Sequence, residues 1–134
     1  MADNLATTQF DLVTNLLNNI PPGYTDETIK KPNGAFDTPK DQQWLRLTTN
    51  MADKENVSAG GEYKRQFGIF TIDIFYPIGK GELSALNDAK IISDLYENQN
   101  IGNAKCLAVS TNLIGVDGAW YRVQVDVEFY QEGF

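Results

Sequence analysis

Apolar residues recur along this chain with two different spacings, and the switches between them mark its elements. From about Thr8 to Asn19 the spacing is helical: Phe10, Val13, Leu16, Leu17 and Ile20 fall at three- and four-residue steps and define one stripe. Thr7 or Thr8 can cap the start through its hydroxyl. Pro21 and Pro22 end the helix, because proline disfavours helical geometry in the residue before it. A second helical stripe runs from about Glu82 to Asn98 through Leu83, Leu86, Ala89, Ile92, Leu95 and Tyr96. Glu82 and Asp88 lie early in it, where negative charge complements the helix dipole.

Between and after these stripes the period falls to two. Trp44 to Asn50 places Trp44, Arg46 and Thr48 on one face and Leu45, Leu47 and Thr49 on the other. Tyr63 to Tyr76 turns Phe70, Ile72, Ile74 and Tyr76 toward a core. Its other face, with Arg65, Phe67, Ile69, Thr71, Asp73 and Phe75, is apolar enough to suggest a cover. Lys105 to about Ile114 reads as a third strand, and a turn at Val116-Asp117-Gly118 leads into a fourth. That fourth strand, Trp120 to Tyr130, alternates cleanly. Tyr121, Val123, Val125, Val127 and Phe129 point inward; Trp120, Arg122, Gln124, Asp126, Glu128 and Tyr130 point outward. Pro21 to Gln43 reads as a loop, and Met51 to Glu62 as a long, mobile hairpin loop. The first is punctuated by Pro22-Gly23, Pro32-Asn33-Gly34 and Pro39, with Tyr24, Ile29 and Phe36 available to pin it down. The order predicts an α+β fold, α-β-β-α-β-β, with a four-stranded, mostly antiparallel sheet and two helices packed on one face.

A length of 134 residues suits a single domain spanning 1–134, and 42% hydrophobic with 22% charged residues argues against wholesale disorder. The net charge of −7, with no histidine, repels phosphate backbones and anionic membranes. It predicts neither sequence-specific nucleic-acid binding nor membrane association, yet permits a protein that surrounds nucleic acid without gripping it. Cys106 is the lone cysteine, so no intrachain disulfide can form, and its apolar neighbours predict a buried strand thiol. The first residues carry Asp3 and Asp11 with no basic stretch or long apolar run, so no signal peptide is expected. No stretch approaches the roughly 20 apolar residues that span a membrane.

Candidate chemistry is sparse. Pro77-Ile78-Gly79-Lys80-Gly81, between strand and helix, does not match the phosphate-loop spacing or the dinucleotide fingerprint. Pro77, Gly79 and Gly81 instead read as a structural turn that needs positive φ angles. The carboxylates Asp73, Asp88, Asp94, Asp126 and Glu128 form no calcium-loop pattern. One cysteine and no histidine make zinc improbable and leave serine nucleophiles without a base. No catalytic, cofactor or metal residue is therefore assigned, and the chain is not expected to be an enzyme. Outward-facing aromatics are more informative, because exposed aromatic clusters mark protein interfaces. The expected contact residues are Phe67, Phe75, Trp120, Arg122, Asp126 and Tyr130, with Lys54 and Glu55 in a loop that orders on assembly. The alternative is a sheet face covered by the chain's own long loop.

The run FTIDIFYPIGKGELSALNDAKIISDLYE joins a long strand, a Pro-x-Gly-x-Gly turn and a helix; WLRLT precedes it and a hairpin ending in YRVQVDVEFYQ follows. In this order the motifs resemble the tail terminator proteins of long-tailed, lambda-type bacteriophages. The resemblance extends from about Trp44 to the C-terminus and takes in the first helix, whereas the loop 21–43 carries none of it. It implies a homohexameric ring that binds the end of the tail tube, stops polymerisation of the major tail tube protein and presents a surface to a head-side connector protein. It also implies DNA passing through the ring, a place at the head-proximal end of the virion tail, and assembly in the host cytoplasm. A head–tail connector or neck subunit, and a small ligand-binding or enzymatic α+β domain, are the competing readings; fold class alone does not separate them.

Overall fold

The computed structural model describes residues 5–56, 64–80 and 82–133. Along the chain run α1 (Leu5–Leu17), a short 3-10 turn (Asp26–Thr28), β1 (Ile29–Lys30), β2 (Trp44–Met51), β3 (Glu55–Asn56), β4 (Lys64–Pro77), α2 (Glu82–Tyr96), β5 (Asn100–Ile101), β6 (Ala104–Asp117) and β7 (Trp120–Gly133). The axis is the antiparallel pair β4 and β7, in unbroken register from Lys64↔Gly133 to Pro77↔Trp120. The sheet runs β1-β2-β4-β7-β6-β5, with β3 also on β4, and curls into a half-barrel.

This corrects the expected four-stranded, mostly antiparallel sheet and its α-β-β-α-β-β order. The described residues hold seven strands in one mixed sheet, because β1 runs parallel to β2 through Ile29↔Leu45 and Lys30↔Arg46. The three additional strands have two residues each, too short to display a period of two. One of them, β1, lies inside the segment 21–43 read as loop, and β5 lies in the expected turn Asn98–Asn103. Another, β3, prolongs β2 along the same edge of β4. Between the pairs Met51↔Gly68 and Glu55↔Arg65 the β2–β3 side gains one residue, as at a β-bulge. Met51, Glu55 and Asn56 are thus paired strand within the expected hairpin loop, and 57–62 lie outside the described residues.

The core fills one face of the sheet. Leu45 and Leu47, the β4 set Phe70, Ile72, Ile74 and Tyr76, and the β7 set Val123, Val125, Val127 and Phe129 are all buried there. Leu12, Val13 and Leu16 of α1 and Ala85, Ala89, Ile92 and Tyr96 of α2 pack against them. The Tyr96 ring meets Phe70 at 5.6 Å, and its hydroxyl donates to the Leu12 carbonyl at 2.6 Å, tying the two helices together. Two positions of the expected helical stripes lie outside this core: Phe10 is 69% and Leu83 71% exposed. In α1 the buried stripe is rotated toward Thr8 and Leu12, because the Thr8 hydroxyl donates to Gln131 on β7. In α2 it runs through Ala85, Asp88 and Ala89, where small side chains allow close approach to the sheet.

The long segment 21–43 wraps the β2 edge. Ile29 is buried in the core, whereas Phe36 lies on the opposite face against Trp44, ring centroids 5.2 Å apart. Tyr24 anchors its start by donating to Asp88 Oδ2 at 2.7 Å, and Tyr76 donates to the same oxygen. One buried carboxylate thus fastens loop, β4 and α2. Burial, reinforced by Asp88, raises the pKa of both phenols, with Tyr76 pushed up to about 12. A raised folded-state pKa contributes stability that is complete below the unfolded value near 10 and is lost as pH rises through the folded value. Thermal melts between pH 9 and 12 should therefore show stability falling above pH 10. In Tyr24→Phe the fall should be shallower, and an unchanged slope there would remove this knot as its source.

Candidate interaction surface

Among the described residues no helix covers the second face of the sheet, and its side chains pack on one another instead. At one end, Trp44 stacks on Phe75 with centroids 4.1 Å apart and planes 8° apart, and meets Trp120 edge-on at 5.9 Å. With Phe36 these rings form a cluster in which Trp44 and Phe75 are buried and Trp120 is half-buried. The Trp44 Nε1–H is buried there without a hydrogen-bond partner among the described residues.

Next along the face lies an ionic network centred on Asp73, which is 2% exposed. Its Oδ2 accepts from Arg46 Nη2 at 3.0 Å, and its Oδ1 accepts from Arg122 Nε at 3.0 Å and Gln124 Nε2 at 3.1 Å. Arg122 also pairs with Asp117 at 3.3 Å. Both guanidinium groups lie over the Phe75 ring, at 5.1 and 5.9 Å from its centroid. Register explains the convergence: Arg46 is directly opposite Asp73, which is opposite Gln124, so oppositely charged groups meet across adjacent strands. One step further, Asp126 accepts from Thr71 at 2.8 Å and from Asn112 at 3.1 Å.

At the far end the face is more open. Phe67 and Ile69 are each 40% exposed, and Phe67 meets Tyr130 with centroids 5.6 Å apart. Arg65 pairs with Glu132 at 2.5 Å and lies over the Tyr130 ring. A groove of about 520 Å³ at this end, around Gly68, belongs to the other side of the sheet, where Gly68 shares its face with Met51 and Phe129.

Six of the expected contact residues thus share one face: Phe67, Phe75, Trp120, Arg122, Asp126 and Tyr130. Phe75 differs from the others in being buried beneath Trp44, Arg46 and Arg122. Lys54 and Glu55 are exposed where β3 meets β4. Pro77 closes β4, and Gly79 adopts φ +93°, a conformation that favours glycine. Gly81 lies outside the described residues. Sequence reasoning missed Trp44, Arg46 and Phe36 as partners of this face, although the parity of β2 placed Trp44 and Arg46 together. Cys106 is buried, and burial pushes its thiol up to about 11, away from reactivity at neutral pH. Among the described residues no cluster of histidine, cysteine and carboxylates could hold a metal, and no helix is long and apolar enough to cross a membrane.

A family model described as phage tail terminator protein matches residues 12–129, most of the chain. The chain belongs to the phage tail terminator protein family; it is a structural phage tail protein and a component of the virion tail. That family is structural, not enzymatic. No curated protein sequence matches the chain. One solved structure superposes on it with a TM-score of 0.54 and 15% identity, covering 93% of this chain and 96% of that one, a likeness of fold alone.

Proposed function

We propose that this protein is a ring-forming terminator that caps the tail tube, stops its polymerisation and offers the head-joining surface. Family membership supports the reading. The observation that carries it beyond the family is the uncovered sheet face. Its ionic centre around Asp73 is already satisfied within the subunit, while Phe67, Ile69, Tyr130 and Trp120 border it with apolar surface left for a neighbour. Rigid, pre-packed patches of this kind lose little conformational entropy on association. Six subunits joined head to tail close a ring, as heterologous contacts do when their rotation closes. The net charge of −7 suits a conduit that DNA passes through without being held. Lys54 and Glu55, exposed at the hairpin, extend the proposed contact set.

The test is to add the purified protein to polymerising tail tube protein. Tubes should stop at shorter lengths as its concentration rises, and Phe67→Ala with Tyr130→Ala should weaken that effect. Tube lengths indifferent to the protein would refute capping. Binding only to portal-side rings would assign it instead to the neck.

A further inference from the structure

At each end of the sheet a two-residue strand, β1 or β5, covers only part of its neighbour's edge. On its outer side β6 is engaged by β5 at Ala104 and Lys105, and by the bonds of Cys106 N to Gln99 O and Asn98 N to Leu107 O. From Ala108 to Val116 that edge has no backbone partner among the described residues. Not one charged side chain occurs between Cys106 and Val116, and Leu113, Ile114 and Val116 are 55%, 45% and 68% exposed. Isolated proteins blunt such edges with lysine, proline or a cover, because unpaired N–H and C=O groups recruit another strand. At the opposite end, β1 occupies β2 only at Leu45 and Arg46. Leu47 to Met51 follow, likewise uncharged, with Thr48 and Thr49 suited to a strand.

We infer that the β6 edge from Ala108 to Val116 is a strand-addition site whose occupant is the β2 edge of a second copy of this chain, joining neighbours into a continuous sheet. Copies carrying −7 each repel one another, and these two uncharged edges are where they can approach with least opposition. A contact between opposite ends of one sheet is heterologous and leaves each copy with one free edge of each kind, as a closing ring requires. Backbone pairing supplies the affinity, and the exposed Leu113, Ile114 and Val116 add side-chain contact. The inference rests on the ring reading proposed above and specifies how its subunits join.

The experiment places a photo-crosslinking residue at the exposed position 113 in full-length protein assembled, with tail tubes present, from equal amounts of isotopically light and heavy copies. Mixed light–heavy products joining the β6 peptide to residues 47–51 are expected. In parallel, alternate amides of 108–116 should exchange at least about tenfold more slowly in the assembly than in the free chain. Rings whose 108–116 amides exchange as in the free chain would overturn the edge pairing and leave the ring reading intact. Crosslinks to the tube protein would overturn the second copy as occupant. Absence of any assembly would overturn both. Ile114→Lys, on an exposed side chain, should keep the circular dichroism of the parent while lowering the assembled fraction at least about tenfold; an undiminished fraction would contradict the inference.

Discussion

Replacing Phe70 with alanine should destabilise the protein by about 3–5 kcal/mol, the range for emptying a buried aromatic site. Phe70 is fully buried on β4 between Thr49 of β2 and Val127 of β7, and its ring packs on Tyr96 of α2. The site cannot collapse easily, because β4 is held in register on both sides. Tyr96 is itself fixed by its bond to the Leu12 carbonyl, so the loss should propagate to the seam between α1 and α2. Urea denaturation measures the effect, and Phe70→Leu should cost markedly less. A loss below about 1 kcal/mol for the alanine variant would mean that this face is not the packed core.

Asp73→Ala should be the most damaging change on the opposite face. It removes the acceptor shared by Arg46, Arg122 and Gln124 and leaves two guanidinium groups over Phe75 without their counter-charge. Removing one partner of a buried ion pair typically costs about 3–5 kcal/mol. Here the arginine side chains are 36% and 20% exposed, and solvent screening lowers the expectation to about 2–3 kcal/mol. Asp73→Asn keeps one acceptor oxygen and should lose less. If instead Asp73→Ala folds as stably as the parent, the network does not organise this face, and the proposed contact surface loses its rigid centre. The same denaturation series at two salt concentrations separates the screened part of the effect from the packing part.

How much of this was legible in the sequence varies with the length over which a pattern runs. The alternation in β7 named its buried set, Val123 to Phe129, because one face meets the helices and the other does not. The parity of β4 likewise divided Phe70, Ile72 and Ile74 from Phe67, Ile69, Asp73 and Phe75. β1, β3 and β5 were not legible: two residues carry no period, and their pairing is set by neighbours distant in sequence. The bulges in β6 that offset Cys106 from Val109 and Leu113 from Gly115 were equally silent. In the helices the period was visible but its phase was not. Phe10 and Leu83 lie outside the core because polar partners, Gln131 for Thr8 and two tyrosines for Asp88, set the rotation.

The contact face was legible as a set of outward residues and not as an arrangement. Nothing in the strand pattern reveals that Arg46, Asp73 and Gln124 fall in one row, since that depends on the register of three strands. Nor does it reveal that Phe36 crosses the β2 edge from a segment without periodicity to reach Trp44. The result is a face whose middle is occupied by its own charges and whose ends remain available. That division matters for assembly. A satisfied centre resists rearrangement, and apolar ends supply contact area without uncovering a lone charge.

The most direct measurement of the central claim is electron microscopy of the purified protein mixed with tail tubes. The account predicts six-fold rings on one end of each tube and none along its length. Tubes with bare ends, beside a protein that stays monomeric at high concentration both alone and with tubes, would contradict it.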